Sequence, residues 1–279
     1  MSEMLEASDG VQLYVECHSP AGDFTGVSIV FSCAYTTTHE NWRPQVAPLV
    51  EAGHSVALWD YRGHGLSSVP EDPAAYSMDR VVDDLGRVID RVSPDAPAVL
   101  AGLSFGGLAS LHFSLRRPER VRGLVLADSG PGFKKAEAAA EWLRRSKRTA
   151  DYIEAKGFDA FVSGRAAATC IGRDPDQPAA RAAAAAIRVQ SRFGVATFGR
   201  RVAGLAPSVI DELAQITQPA LVIVGAEDDA YLRAAEVMTA KLPDARHEVI
   251  PGAGHIVNIE AESAFNERVV EFLAELAEE

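Results

Sequence analysis

Three positions in this chain have the residue types that nucleophilic acyl chemistry requires: Ser104, His255, and a carboxylate among Glu227, Asp228 and Asp229. A serine hydroxyl is a weak nucleophile at neutral pH. It needs a base within hydrogen-bond reach, and that base needs a carboxylate to orient it. Ser104 lies in Gly102-Leu103-Ser104-Phe105-Gly106, a G-x-S-x-G pentapeptide. The pentapeptide alone says little, because glycine and serine are common. Its surroundings make it informative: an apolar run over 98–101 precedes it, and small helix-competent residues over 107–111 follow. A strand turning sharply into a helix strains its corner residue and pushes the hydroxyl outward, near the positive end of a helix dipole.

The partners follow in chain order. Gly225-Ala226-Glu227-Asp228-Asp229 comes after the apolar run 221–224, and Pro251-Gly252-Ala253-Gly254-His255 after the next strand-like run. Each group falls in a turn past the carboxyl end of a strand, the side on which open α/β sheets bind ligands. Alone, His255 reads as a surface-loop histidine; the order Ser, acid, His makes it the expected base. Spacing does not choose among the three successive acids.

The elements that must position these residues are legible as an alternation. Short β-branched runs at 11–17, 27–31, 55–59, 98–101, 121–126, 220–224 and 246–250 are separated by amphipathic stretches, the pattern of a mostly parallel sheet flanked by helices. Ser77 is placed to cap a helix bearing Val81, Val82, Leu85, Val88 and Ile89. A second helix over 105–117 is stopped by Pro118, and a third covers about 261–277. The alternation breaks between about 132 and 214, where Ala, Arg, Lys and Glu dominate and no strand is evident. That stretch is expected to be a helical insertion, because strand-like sequence resumes from Pro219.

Composition excludes several classes. A formal net charge of −12 opposes nucleic acid or an anionic membrane as partner. Three cysteines without regular spacing make no disulfide framework and fit a reducing compartment. The acidic start Met1–Glu6 does not read as a secretory leader, and no apolar run approaches the ~20 residues of a membrane helix. No metal-ligand spacing occurs among the seven histidines. The expectation is a cytoplasmic protein with no cofactor and a small-molecule partner.

These motifs together resemble the α/β-hydrolase superfamily, in its capped, small-substrate branch. Gly102–Gly107 resembles the nucleophile elbow, Asp60-Tyr61-Arg62-Gly63-His64-Gly65-Leu66-Ser67 the D-x-R-G-x-G-x-S loop, Gly225-x-x-Asp228 the acid turn, and Gly252-x-Gly254-His255 the histidine turn. The resemblance implies an α/β fold with a mostly parallel eight-stranded sheet, a core of 1–131 and 215–279, and a helical cap over 132–214. It favours Asp228 as the acid and makes the backbone N–H groups of Ala34 and Phe105 the oxyanion donors. One departure stands out: Ser32-Cys33 occupies the place of the family's His-Gly, so the oxyanion loop is expected to differ in shape. Tyr35 and His39, further along that loop, are expected in the substrate pocket, with Phe133 as an aromatic wall. Cys33 is expected to be an apolar filler, Arg62 and His64 structural hydrogen-bonders, and the run 144–148 a solvated helix face. Ser104 excludes the aspartate-nucleophile branches. The implied activity is hydrolysis of a small or medium ester or lactone through an acyl-enzyme. The alternatives are carbon–carbon or thioester hydrolysis on the same residues, or a ligand-binding protein that keeps the scaffold.

Overall fold

The computed structural model describes residues 1–21, 24 and 26–278. Its frame is one eight-stranded sheet: β1 (Ser2–Glu6), β2 (Gln12–His18), β3 (Ser28–Ser32), β4 (Ser55–Trp59), β5 (Ala98–Leu103), β6 (Val121–Ala127), β7 (Ala220–Gly225) and β8 (Ala245–Ile250). The spatial order is β1-β2-β4-β3-β5-β6-β7-β8. β1 and β2 run antiparallel at one edge and every later pairing is parallel. β5 and β7 are buried along their whole length. This is why they read as continuous apolar runs, as strands covered on both faces do. β1 was not legible: it is an edge strand with alternating exposure, rich in Glu, and its pairing with β2 defines it.

The helices are α1 (Arg43–Glu51), α2 (Met78–Val92), α3 (Phe105–Arg116), α4 (Ala136–Val162), α5 (Pro178–Arg188), α6 (Arg192–Arg201), α7 (Asp229–Lys241), α8 (Val257–Glu260) and α9 (Glu262–Glu278). Ser77 caps α2 by accepting the Arg80 N–H, and α3 gives way at Arg117–Pro118 to a short 3-10 turn. The stretch 132–214 carries α4, α5 and α6 and, among the described residues, no strand. α4 is broken at Gly157, whose φ of 78° favours glycine and whose Cα faces the Arg192 guanidinium. The insertion is tied to the loops at the sheet's carboxyl edge. Gln190 donates to the Thr36 carbonyl at 2.9 Å, Asn41 donates to the Cys170 carbonyl at 2.7 Å, and Gly194 lies against Gly63.

Candidate active site

β5 delivers Ser104 to the turn before α3, with φ 53° and ψ −112°. A non-glycine residue held there stores roughly 1–3 kcal/mol of strain. Neighbours hold it in place. Its N–H donates to the Ala127 carbonyl at 2.9 Å, and its carbonyl accepts the Ser129 hydroxyl at 2.7 Å and the Gly107 N–H at 3.1 Å. The turn closes only because the flanking glycines lack side chains. A Cβ at Gly102 would sit 2.2 Å from the Gly106 carbonyl carbon, and one at Gly106 2.2 Å from the Ser32 oxygen.

Asp228 lies past β7 at the start of α7, and His255 lies in the turn between β8 and α8. Their side chains meet, His255 Nδ1 to Asp228 Oδ2, at 2.7 Å. Asp228 is the member of the acid turn that faces the histidine. Glu227 instead pairs with Arg173, and Asp229 opens α7. Burial pulls the His255 pKa down. The hydrogen bond that His255 donates to Asp228 and the charges of Asp128 and Asp228 more than offset that, so the net shift is upward.

Asp128 carried no signal in the sequence. It follows β6 with φ 40°, is fully buried, and accepts the N–H groups of Gly225 at 2.9 Å and Val257 at 3.0 Å. It thus ties the end of β7, which carries Asp228, to the segment after His255. Burial pushes its carboxyl up to about 7.

Tyr231 was also not anticipated. Its hydroxyl lies 3.4 Å from Ser104 Oγ, and its ring centroid 4.8 Å from that of His255. The signal available was position: Tyr231 is three residues after Asp228, one turn along the same helix.

The oxyanion loop accommodates Ser32-Cys33 without left-handed backbone at either residue; the positive φ falls at Thr36, at 78°. Polar contacts pin the loop. Trp42 Nε1 donates to the Ser32 carbonyl at 3.2 Å, Trp59 Nε1 to Ser32 Oγ at 3.1 Å, and the Tyr61 hydroxyl to the Cys33 carbonyl at 2.9 Å. Burial pushes the Cys33 thiol well above its usual range, so this cysteine is a poor nucleophile. Phe105 is the first residue of α3, where an N–H has no intrahelical acceptor. Among the described residues the N–H groups of Ala34 and Phe105 donate to no protein acceptor.

Ser104, Asp228 and His255 line one cavity of about 310 Å³ between the sheet edge and the insertion, with Ala34, Tyr35 and Tyr231. An adjoining lobe of about 220 Å³ is walled by Phe105, Leu108 and Phe133 and shares Tyr35, Ser104 and Tyr231 with the first. His39 is a correction to the expected pocket. It lines neither lobe, is buried, and packs tilted against the Tyr14 ring. Its Nδ1 bonds Asp60 Oδ2 at 2.7 Å and its Nε2 faces Glu40 at 3.3 Å. The capping of the short helix after Thr38 turns the chain inward there. The basic run also divides: Arg144 and Arg148 pair with Glu141, whereas Arg145 lines both lobes. Arg62 is a structural cation held by Asp9 and Asp84, and burial pushes the pKa of His64 down to about 4.

The family model described as serine aminopeptidase, S33, matches residues 31–262. Over 276 residues, 98% of both chains, this chain is 28% identical to a Bacillus subtilis (strain 168) protein provisionally named 2-succinyl-6-hydroxy-2,4-cyclohexadiene-1-carboxylate synthase. It is 28% identical over 267 residues to 3-oxoadipate enol-lactonase 1 of Acinetobacter baylyi, covering 95% of this chain and 94% of that one. Among solved structures, the enol-lactonase of Burkholderia xenovorans LB400 superposes with a TM-score of 0.82 at 26% identity, covering 98% of this chain and 100% of its own.

Proposed function

The chain belongs to the α/β-hydrolase family described as serine aminopeptidase, S33, and from that premise we propose that it hydrolyses a small or medium carboxylic ester or lactone through an acyl-enzyme. The observation that carries this reading is the shared cavity. A strained, outward-facing Ser104 and a His255 already bonded through Nδ1 to Asp228 line the same space, with two unpartnered N–H groups beside it.

In the proposed sequence, substrate entry turns the Ser104 hydroxyl from Tyr231 Oη toward His255 Nε2. Nε2 is the ring nitrogen left open by the bond to Asp228. Ser104 Oγ attacks the acyl carbon as His255 takes its proton. The N–H groups of Ala34 and Phe105 hold the tetrahedral oxyanion; removing one such donor in related chemistry costs roughly 3–4 kcal/mol. The imidazolium, stabilised by Asp228, protonates the leaving oxygen. A water activated by the same nitrogen then attacks the acyl-enzyme and restores Ser104. The enol-lactonases among the relatives and structural neighbours support ester or lactone cleavage over the thioester and carbon–carbon alternatives. No helix of the described residues is long and apolar enough to cross a membrane. The three unpaired cysteines support a reducing, cytoplasmic setting.

The test is a panel of esters, lactones and thioesters of graded acyl length with wild type and Ser104→Ala. The reading expects turnover of esters or lactones by wild type alone. Turnover by Ser104→Ala at the wild-type rate would overturn it.

A further inference from the structure

The charges around the cavity are unevenly spent. Asp228 is the one carboxylate in the cavity lining, and it is committed to His255. Two guanidinium groups line the same lobe, Arg145 from α4 and Arg165 from the loop after α4. Among the described residues neither guanidinium has an ion pair or a hydrogen bond. Arg181, Arg192 and Arg201 of the insertion share that state but line neither lobe, and several other arginines of the insertion are engaged. Arg144 and Arg148 meet Glu141, Arg200 meets Asp151 and Glu154, and Arg188 meets Asp159.

Arg145 is also held in position. Its guanidinium lies 5.8 Å from the Trp142 ring centroid, and the Trp142 indole is fixed by donating Nε1–H to the Ala203 carbonyl at 2.7 Å. A guanidinium over an aromatic face keeps its N–H fork free for a planar anion. Arg145 sits where the two lobes join and is the only charged residue of the second lobe, whose walls are otherwise mainly apolar. Its charge pulls down the pKa of both His255 and Tyr231, as a minor influence beside burial and the nearer aspartates. The chain as a whole carries a formal charge of −12, which repels anions at long range. Both residues are exposed, Arg145 at the mouth shared by the two lobes and Arg165 at the rim of the first, so this pair of unspent cations marks the entrance of the cavity as a local positive site within that field.

We infer that the cavity takes substrates bearing a free carboxylate in addition to the scissile ester or lactone, with Arg145 and Arg165 holding the carboxylate and the apolar lobe receiving a short carbon chain. This rests on the serine hydrolase reading of the same cavity and names its substrate class. Arg145 is the stronger determinant, because the Trp142 platform fixes it. Arg165, in a loop, supplements it.

Monoethyl esters of linear dicarboxylic acids from four to eight carbons, each paired with its neutral carboxamide isostere, test this through the ratio of kcat/KM values. Wild type should favour the carboxylate of the best-fitting length by about tenfold or more, the scale of one charge-assisted bidentate contact. Arg145→Gln should cut that ratio by about tenfold, Arg145→Lys should recover part of it, and Arg165→Gln should cut it by roughly threefold. Arg144→Gln, at a residue that lines neither lobe and pairs with Glu141, should leave the ratio unaltered. A ratio in Arg145→Gln equal to that of wild type, or a wild type that prefers the carboxamides, overturns the inference. Calorimetric titration of Ser104→Ala with the dicarboxylates separates this from failure of the catalytic reading. Dicarboxylate binding that weakens about tenfold in Ser104→Ala/Arg145→Gln supports the site even without turnover. No binding, or binding that ignores Arg145, removes it even if esters are cleaved.

Discussion

Two histidine–aspartate pairs in this molecule share one local geometry and differ in everything around it. His39 and His255 each bond an aspartate through Nδ1 at 2.7 Å and both pKa values are raised, with His39 buried and His255 partly so. At His39 burial opposes protonation, but Asp60 and Glu40 occupy both ring nitrogens and lift the pKa to about 9. That imidazole is a fixed cation inside the fold. Asp60 also accepts the backbone N–H groups of His39 and Leu66, so the pair closes the loop that precedes Ser67. His255 has one nitrogen bonded and the other open to a cavity that also holds Ser104. A histidine–carboxylate bond therefore does not identify a reacting site. What distinguishes one is an unspent nitrogen facing a space with a nucleophile in it.

The contrast is broken most directly by removing the groups that only one pair possesses. Ser104→Ala and His255→Gln should each lower kcat/KM for the preferred ester by about 10⁴-fold or more, and the double variant should be little worse, because the residues act as a unit. His39→Gln should change kcat/KM of the folded protein by no more than about threefold. A His39 variant as inactive as the His255 variant would erase the distinction.

Next in size is the loss of each aspartate. Asp228→Asn should lower kcat about 10³–10⁴-fold with little change in melting temperature, because the imidazole loses its orientation and the stabilisation of its protonated form. Asp60→Asn should do the reverse, costing about 3–5 kcal/mol of stability by removing the buried carboxylate on Nδ1 and leaving the imidazolium only the partly exposed Glu40. Activity and denaturant midpoints measured on both variants decide this.

The distinction in proton affinity gives two smaller effects of opposite meaning. His255 must be neutral to act as base, and its pKa is raised, so activity should rise with pH through an apparent value above the ordinary ~6.5. For His39 the consequence is in stability. The folded state keeps its proton to about pH 9 while the unfolded chain releases it near 6.5. Its contribution is complete below about 6.5 and is lost as pH rises through about 9. Melting temperatures from pH 6 to 9.5 should fall less steeply in His39→Gln than in wild type.

Sequence legibility followed the range of the interactions involved. Strands covered on both faces were marked to within a residue or two, because burial dictates their composition locally. So were the Ser77 cap and the stop at Pro118. The elbow, the acid turn and the histidine turn were legible because each needs particular residues within five positions. β1 was not, since its partner rather than its composition defines it. Asp128 and Tyr231 owe their places to contacts across 97 to 129 positions of chain, which no local pattern records. Arg145 rests on Trp142 three residues away, but the cavity it lines is built from distant segments. His39 misled for the same reason: adjacency to the oxyanion loop suggested the pocket, and Asp60, 21 residues away, draws the ring elsewhere. Ser32-Cys33 suggested an altered loop, yet the adjustment falls at Thr36.

The central claim is that the hydroxyl of Ser104 becomes covalently acylated with His255 as its base. Rapid-quench mass spectrometry of the protein mixed with an activated ester tests it, with peptide mapping of any adduct. The account predicts a single acyl adduct on Ser104 that forms within the first turnover, decays as product appears, and is absent in His255→Gln. Steady turnover with no adduct at Ser104, or an adduct that forms as fast without His255, would contradict it.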